Sequence, residues 1–372
     1  MVTTRGTAFI VKRFPREHYT VAFSPSSGFF ARIEDAGHDE PFWSEHGPET
    51  LDVAVTNWCD CGCALCYRKS NTAGAHLPLN EYEEIIRQAH SMHVFQVALG
   101  GGNPNQHPEF PNILRLTREK YGIVPNYTTN GRGLTQEVID ATVRYCGAVA
   151  VSAHPPYHET TKAIELLQSN GITTHIHFVL TSKSIDTAID FLINPPSFLK
   201  AVKAIVFLNY KPVGRLADEE LLLRKSCRVQ EFFKLCSHAQ NQFSIGFDTC
   251  SITGLARYGN ASDISIEGCD AGRFSLFVSE RMEVFPCSFM VEAGYPGIPL
   301  RNTSISEIWK NHLVFRRMRG KHSENMCPFC PKARHCLSGC PLFPEINLCP
   351  ETGTIHSPQI NPPEDGNWES IS

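Results

Sequence analysis

Residues 56–67 read TNWCDCGCALCY and place four cysteines in one short loop. Three of them, Cys59, Cys63 and Cys66, have the spacing C-x3-C-x2-C, and an aromatic residue, Tyr67, comes next. Zinc sites more often pair C-x2-C with a second pair farther along the chain, so a zinc knuckle built from all four cysteines fits this loop poorly. The zinc knuckle and simply buried thiols stay open as alternatives, and the choice depends on the rest of the chain.

The composition indicates that these thiols have a chemical purpose. The chain has 372 residues, 15 of them cysteines, and a net charge of −4. A chain of this length can bury a full core without disulfide staples. Residues 1–12 lack the features of a secretory signal, and no apolar run approaches the ~18 residues of a membrane span. We therefore predict a cytoplasmic protein with metal or redox chemistry, and the absence of a basic block indicates no nucleic-acid and no membrane partner.

From residue 51 onward, short β-branched runs alternate with helix-like segments, which is the pattern of repeated βα units around a parallel sheet. Six such runs occur, at 51–56, 94–99, 123–127, 148–152, 173–180 and 204–210. The pattern predicts an α/β fold with a partial (β/α)6 TIM-like barrel, whose functional groups lie at the carboxyl ends of the strands. Asn80 and Glu83 precede an apolar-periodic stretch, and their spacing predicts a capping box at the start of the first barrel helix.

Changes of pattern divide the chain into five parts. We predict a small N-terminal β cap, a barrel, a helical bridge with a helix over 218–238, a cysteine-rich α+β domain and a tail. Their boundaries are 1–50, 51–215, 216–262, 263–352 and 353–372, respectively. Within the cap, strand-like pieces are expected at 8–11 and 19–23.

A second group of cysteines lies near the C-terminus. Residues 327–340 read CPFCPKARHCLSGC, a C-x2-C-x5-C-x3-C run, and three further cysteines flank it, namely Cys269, Cys287 and Cys349. A C-x2-C pair is a common opening of a zinc ribbon, so zinc is the alternative for this region. Seven cysteines do not divide into four-ligand sites, which argues against zinc alone.

The two cysteine groups, in this order over about residues 51–350, resemble the radical SAM (S-adenosylmethionine) superfamily with a C-terminal SPASM domain, of the peptide-modifying type. The resemblance implies that Cys59, Cys63 and Cys66 hold a [4Fe-4S] cluster whose open iron binds SAM. It also makes residues 263–352 an iron–sulfur domain with two auxiliary clusters. The outer cluster would be held by Cys327, Cys330, Cys336 and Cys349, and the inner one by Cys269, Cys287 and Cys340.

The implied inner cluster has only three obvious ligands, because no further cysteine lies between Cys269 and Cys287. Either one iron stays open to substrate or water, which the sequence leads us to favour, or Cys250 supplies the fourth thiolate. Met282 is a second departure from the family pattern. It stands where the hairpin before Cys287 usually has glycine, so it affects the geometry of the turn.

The same resemblance assigns SAM contacts to the ends of the second, third and fourth predicted strands. GGGNP at 100–104 resembles a GGEP-like segment, with Asn103 in place of the usual glutamate, and TTNG at 128–131 resembles a TNG segment. The implied SAM-binding residues are Tyr67, Gly100, Gly101, Gly102, Asn103, Thr128, Asn130 and Ser152. Ordinary βα-loop turn residues are the alternative, because Asn-Gly and Ser are common in turns and helix caps.

By resemblance, reductive cleavage of SAM gives a 5′-deoxyadenosyl radical that abstracts hydrogen from a substrate carbon, and an auxiliary cluster takes the surplus electron. We therefore expect an oxidoreductase that oxidises or cross-links a ribosomally made peptide, with a reductase or flavodoxin-type electron donor. The first 50 residues look too short for a complete leader-peptide domain, so either a separate leader-recognition protein or direct binding is expected. Ser288 disfavours sulfatase maturation, because those enzymes carry aspartate directly after the second SPASM cysteine.

No catalytic base is assigned from the sequence. Tyr157, Asp248 and Arg215 are candidates only because their segments are expected to face the barrel mouth. Two other functions stay open: radical dehydrogenation of a small molecule and, outside enzymes, a zinc-bound interaction module.

Overall fold

Two β-sheets organise the protein, whose computed structural model describes residues 9–238, 243–260, 267–324, 327, 330–349, 361–363, 366 and 368. The strands of the described residues are β1 Ile10–Phe14, β2 Tyr19–Phe23, β3 Phe30–Glu34, β4 Thr50–Thr56, β5 Gln96–Gly101, β6 Val124–Thr129, β7 Val149–Ser152, β8 Thr174–Leu180, β9 Ala204–Asn209, β10 Ser244–Phe247, β11 Ser275–Val278, β12 Glu283–Phe285 and β13 Ile298–Pro299. β1–β3 form a three-stranded antiparallel sheet, and the others form one sheet in the order β10-β9-β8-β7-β6-β5-β4-β11-β12-β13.

The consecutive strands β4–β10 run parallel and make up the barrel part of the large sheet. The six predicted strands are confirmed as β4–β9, and each end lies within two residues of its expected place. β10 adds a further parallel strand beside β9 within the helical bridge predicted over 216–262, and the sequence-based prediction does not include this strand. The sequence of β10, SIGF, is too short and too poor in β-branched residues to stand out as a strand.

The cysteine-rich C-terminal part continues the large sheet at its opposite edge. β11 pairs in parallel with β4, with Ser275 opposite Thr50, and β12 and β13 follow in antiparallel order. Between β11 and β12, Met282 has a φ of 61°, in the left-handed region that favours glycine. The barrel and the C-terminal hairpin therefore share one continuous set of strands, although the sequence predicts them as separate parts.

Helices cover one face of the large sheet and leave the other face partly open. The helices of the described residues are α1 Leu79–Ser91, α2 Phe110–Arg115, α3 Gln136–Tyr145, α4 His158–Ser169, α5 Ile185–Ile193, α6 Ser197–Lys200, α7 Cys227–His238, α8 Ile252–Tyr258, α9 Ile305–Asn311, α10 Leu313–Glu324 and α11 Ala333–Cys336. Phe178 of β8 packs edge-on against Phe191 of α5, with 5.4 Å between the ring centroids. Because side chains alternate along a strand, His175 and His177 point to the opposite face of the sheet from Phe178. No helix within the described part of the chain is long and apolar enough to cross a membrane.

The predicted start of the first barrel helix is wrong. α1 begins at Leu79, directly after Pro78, and no side chain caps it, so Asn80 lies inside the first turn. Pro78 itself sets the entry of the chain into the helix, because its ring fixes φ, here at −57°.

The helical bridge and the N-terminal cap also differ from their predictions. The helix expected over 218–238 begins only at Cys227, because the side chain of Asp218 caps a separate 3₁₀ turn, Glu219–Leu221. The cap has a third strand, β3, that the sequence does not predict, and its first strand is displaced towards Phe14. Residues 1–8 and most of the predicted tail lie outside the described residues.

Candidate functional site

The loop with the first three predicted cysteine ligands leaves the carboxyl end of β4 and is fixed by backbone hydrogen bonds. The amide of Cys59 donates to the carbonyl oxygen of Asn71 at 3.0 Å. The amide of Cys66 donates to the carbonyl of Cys63 at 3.3 Å, and the carbonyl of Cys66 accepts from the amide of Arg215 at 2.9 Å. These backbone bonds therefore define the path of the loop.

Polar groups from the ends of two neighbouring strands reach the sulfur atoms of this loop. Asn130, after β6, places its Nδ2 3.5 Å from the Sγ of Cys59. His154, after β7, places its Nε2 3.6 Å from the Sγ of Cys63. Hydrogen bonds to sulfur adjust the electronic properties of a thiolate-bound cluster, so both side chains are suited to that role. The sequence resemblance indicates Asn130, whereas nothing in the sequence distinguishes His154 from other histidines near strand ends.

The thiols of Cys59, Cys63 and Cys66 are partly buried and lie close enough to affect one another's protonation. Burial raises the pKa of Cys59, and the neighbouring thiols of Cys61 and Cys66 add to the shift. Burial and the hydrogen bond that Cys63 donates to Cys61, at 3.3 Å between sulfurs, raise the pKa of Cys63 to about 12. Since thiols bind metal as thiolates, binding of a positively charged centre would release their protons. The donor set fits an iron–sulfur cluster in this respect.

The glycine segment after β5 packs against the start of the cysteine loop. A Cβ on Gly102 would lie 2.1 Å from the carbonyl oxygen of Trp58, and a Cβ on Gly101, whose φ is +102°, would lie 2.0 Å from that of Thr56. The amide of Gly102 donates to the Thr56 carbonyl at 2.7 Å. By contrast, a Cβ on Gly100 would meet nothing within 4 Å. Gly101 and Gly102 are therefore required by the packing of the loop, while Gly100 leaves space beside the strand end.

The buried side chain of Asn103 joins the segments that follow β5 and β6 by hydrogen bonds. Its Nδ2 donates to the carbonyl of Arg132 at 3.0 Å and to Gln106 at 2.8 Å. Its Oδ1 accepts from the hydroxyl of Thr129 and from the amide of Asn130, both at 3.1 Å. The side chain is 1% exposed, and all of these partners belong to the protein. Its predicted contact with SAM stays a prediction.

The remaining predicted SAM contacts occupy two different places. Thr128 and Ser152 are partly exposed at the carboxyl ends of β6 and β7, as the resemblance implies. Tyr67 instead turns towards the C-terminal part, where its ring packs against Phe289 at 4.8 Å and its hydroxyl bonds to Ser288. These roles in SAM binding stay predictions.

The structure places the three candidate catalytic residues in different surroundings. Tyr157 packs its ring against Phe191 of α5 and Phe198 of α6, each at 5.6 Å, so it lies among the outer helices rather than in the barrel mouth. Arg215 donates from its guanidinium to the carbonyl of Ser70 and so supports the cysteine loop. The catalytic roles of both residues stay predictions.

The third candidate, Asp248, is part of a buried polar cluster after β10. Its carboxylate accepts from the Nζ of Lys211 at 2.8 Å. Burial lowers the pKa of Lys211, but the charge of Asp248 and the thiol of Cys250 more than offset this, so the pKa is raised above its usual value. Lys211 is only 3% exposed, yet no sequence motif marks it.

The C-terminal cysteines fall into two sets, and within each set the neighbouring thiols raise one another's pKa. In the first set, a hydrogen bond with Cys250 and burial raise the pKa of Cys340, and the charges of Cys269 and Cys287 raise it further. In the second set, burial raises the pKa of Cys336 to about 12, assisted by three neighbours, Cys349, Cys327 and Cys330. The second set contains the four cysteines predicted for the outer cluster. The first contains the three predicted for the inner cluster, together with Cys250.

The spacing of these thiols bears on what they can bind. Within the described residues, no three Cys, His, Asp or Glu side chains surround a position suited to a single metal ion. A [4Fe-4S] cluster takes one thiolate for each iron, so its ligands stand apart by the width of the cluster. At the first loop, the space beside Gly100 is open, since a Cβ there would meet nothing within 4 Å.

Comparisons with known proteins agree with this geometry. Residues 53–192 match the family model described as the Radical SAM superfamily. Mycofactocin maturase MftC of Mycobacterium ulcerans (strain Agy99) is 24% identical over 319 residues, which span 80% of this chain and 84% of that protein. PqqA peptide cyclase of Streptomyces rochei is 21% identical over 323 residues, or 79% of this chain and 84% of that one. The crystal structure of Streptococcus suis SuiB bound to precursor peptide SuiA shares the fold, with a TM-score of 0.66 at 13% identity over 87% of this chain and 92% of SuiB.

Proposed function

We propose that this chain, a member of the radical SAM superfamily through residues 53–192, matures a ribosomally made peptide by oxidising or cross-linking it. The observation that carries the proposal is the loop of Cys59, Cys63 and Cys66, which meets Asn130 at the carboxyl ends of the parallel strands. Three thiols leave one iron of a four-iron cluster without a protein ligand, which is the arrangement that SAM chemistry needs.

When bound, the cluster supplies an electron that splits SAM into methionine and a 5′-deoxyadenosyl radical, which takes a hydrogen atom from a substrate carbon. The chain's own residues hold and tune this site. The backbone bonds of Cys59 and Cys66 fix the direction of the thiols, and Asn130 donates to sulfur.

A peptide is the proposed substrate class because of the relatives of the chain. PqqA peptide cyclase and SuiB, the latter bound to a precursor peptide, both cover most of the chain. Loss of one hydrogen atom to the radical, followed by loss of one electron and one proton, gives a product two hydrogens lighter. The two C-terminal thiol sets are proposed to hold auxiliary clusters, of which one accepts that electron. A separate leader-recognition protein and a flavodoxin-type electron donor complete the proposed system.

The test uses anaerobically reconstituted protein with SAM, a flavodoxin-type reductant and the short peptide encoded beside the gene. We expect release of 5′-deoxyadenosine together with a peptide that is two hydrogens lighter by mass spectrometry. Cys63→Ala should abolish both, whereas Cys227→Ala should abolish neither, because Cys227 is an exposed thiol in α7. Release of 5′-deoxyadenosine with an unchanged peptide would favour a small-molecule substrate. Zinc-loaded protein that leaves SAM intact would contradict the enzymatic proposal.

A further inference from the structure

One charged side chain stands among the parallel strands of the barrel. Asp52 is the single Asp, Glu, Lys or Arg residue in β4–β10. In register beside it lie Ala98 of β5 and Phe277 of β11. Within the described residues its carboxylate has no hydrogen-bond or ion-pair partner, and burial raises the pKa of this carboxyl to about 6. A carboxylate away from bulk water is costly unless a ligand supplies its partner.

The face of the sheet that carries Asp52 is open beside this carboxylate. Tyr127 of β6 packs edge-on against Phe110 of α2, with 5.0 Å between ring centroids, so the next residue, Asn126, faces away from the helices. Ala98, in register with both Asp52 and Asn126, is exposed although β4 and β6 flank its strand. The same face continues towards the strand ends and across the sheet with further small residues, at Ala54, Gly100, Ala150 and Ala204.

The polar residues that surround Asp52 hydrogen-bond to one another instead. The Nε2 of Gln96 donates to the Oγ1 of Thr50 at 3.4 Å, and the Nδ2 of Asn126 donates to the Oε1 of Gln96 at 3.1 Å. The Oδ1 of Asn126 accepts from the amide of Ala148 at 2.9 Å. Because these side chains satisfy each other and none of them bonds to Asp52, its carboxylate stays available to a ligand.

The charge balance beside Asp52 favours a cationic ligand. The guanidinium of Arg68, which lies over an aromatic ring of β11, is already paired with Glu280 at 2.6 Å. Burial lowers the pKa of His177 to about 4 and also lowers that of His175, so both imidazoles are uncharged at neutral pH. A lysine or arginine side chain would bring the compensating charge, and its long apolar stem can pass the small residues of this face.

We propose that Asp52 is a specificity-determining residue that receives a basic side chain, lysine or arginine, of the substrate peptide in the open space beside Ala98. The inference rests on the proposed function, because it takes the substrate to be a peptide. Gly100 and Thr128, which the sequence predicts to contact SAM, lie two residues nearer to the carboxyl ends of their strands than Ala98 and Asn126. The basic side chain would therefore bind deeper in the barrel than the predicted SAM contacts and would fix which peptide residue stands beside the radical.

The first experiment asks whether the Asp52 carboxylate has a structural partner. Asp52→Asn removes the charge and keeps the shape, so its Tm and its iron content after anaerobic reconstitution should equal or exceed those of the parent. Asp140→Asn is the matched control and should keep both, since Asp140 is exposed on α3 and bonds only to Gln136 of its own helix among the described residues. A lower Tm in Asp52→Asn alone would show that a bond within the protein holds this residue, and would overturn the proposal.

The second experiment is a double-mutant cycle with the short peptide encoded beside the gene. Each basic residue of that peptide is replaced in turn by norleucine, and KM and kcat for the product two hydrogens lighter are measured with the parent, Asp52→Asn and Asp52→Glu. In the parent, one of these replacements should raise KM by about 100-fold, the effect of removing one partner of a buried charge pair. In Asp52→Asn the same replacement should change KM by less than about threefold, because the pair is already lost. Asp52→Glu should keep the preference for the basic residue.

Three results would contradict this role of Asp52. They are equal sensitivity of the parent and Asp52→Asn to every replacement, processing of a natural peptide that has no lysine or arginine, and a raised SAM requirement in Asp52→Asn with an unchanged KM for the peptide. The last result would assign the carboxylate to the sulfonium group of SAM. Failure of the proposed function has a different signature: the parent itself would release no 5′-deoxyadenosine from SAM, or would release it and leave the peptide unchanged.

Discussion

The substitution Gly102→Ala separates two reasons for a glycine at the end of β5. If glycine is needed only so that SAM can approach the backbone, Gly100 and Gly102 should be equally sensitive. If glycine is needed for packing, only Gly102 should be, because its new Cβ would lie 2.1 Å from the carbonyl oxygen of Trp58 while a Cβ on Gly100 would meet nothing within 4 Å. The colliding atom belongs to the backbone, so no side-chain rotation can relieve the contact.

The loss of stability in Gly102→Ala follows from the hydrogen bonds that the displaced backbone can no longer make. The amide of Gly102 donates to Thr56 at 2.7 Å, and that of Asn103 donates to Trp58 at 3.0 Å. Each bond contributes about 1 kcal/mol net, and a buried group left unpaired costs about 1–3 kcal/mol, so the variant should lose about 2–5 kcal/mol. With about 2.1 cal/mol/K of unfolding entropy per residue, this loss lowers Tm by about 3–6 °C if the whole chain unfolds together. Because Trp58 precedes Cys59, the first cysteine ligand should also move.

The assay combines iron analysis after anaerobic reconstitution with thermal unfolding of the same samples. Gly102→Ala should lose about four irons per chain, the content of one cluster, and should melt earlier than the parent. Gly100→Ala should keep its iron and its Tm, and a raised SAM requirement in that variant alone would identify Gly100 as the position next to the ligand. A Gly102→Ala protein with full iron and the parental Tm would refute the packing argument.

Three further predictions concern buried polar groups. The guanidinium of Arg68, 1% exposed, donates to Glu280 at 2.6 Å, so Arg68→Met should cost about 3–5 kcal/mol in urea unfolding, and adding Glu280→Gln should recover part of the loss. Asn103→Ala should lower the iron content of the first site, whereas Cys227→Ala should not, because Asn103 bonds the segments beside Cys59. Burial lowers the pKa of His322 to about 4, whereas in the unfolded chain this imidazole binds a proton below about pH 6.5. Between pH 6.5 and 4 the free energy of unfolding should therefore fall by up to about 3 kcal/mol more in the parent than in His322→Phe. Urea unfolding of both proteins across that pH range measures the difference.

The parallel strands β4–β9 are predictable from the sequence because the runs that form them are rich in apolar and β-branched residues. β4 and β8, with seven residues each, are found within one residue of their expected places. β10 is missed because its four residues include Ser244 and Gly246 and do not show the alternation of apolar and polar side chains that indicates a strand. The order of the strands in the sheet cannot be predicted from local patterns either. No such pattern indicates that β11 pairs with β4, at the edge of the barrel strands away from β10.

The candidate site shows the same division between local and tertiary information. The spacing of Cys59, Cys63 and Cys66 is local, because all three lie on one loop, and their proximity follows from the chain itself. The neighbours of the segment around Cys250 are not local: Asn209, at the end of β9, donates to the carbonyl oxygen of Cys250 at 3.1 Å, and the amide of Leu348, from the C-terminal segment, donates to the hydroxyl of Thr253 at 2.9 Å. The sequence contains all of these residues, but their meeting depends on β10, the strand that the sequence pattern does not reveal.

Phe289 joins the two thiol sites physically. Its ring packs at 4.8 Å against Tyr67, the residue after Cys66, and it lies 4.4 Å below the ammonium group of Lys211, which pairs with Asp248 at 2.8 Å. The sheet makes this possible, because β11 pairs directly with β4 and so brings the segment after β12 beside the first cysteine loop. The first loop and the inner thiol set are therefore neighbours across one aromatic side chain, not sites on independently placed domains.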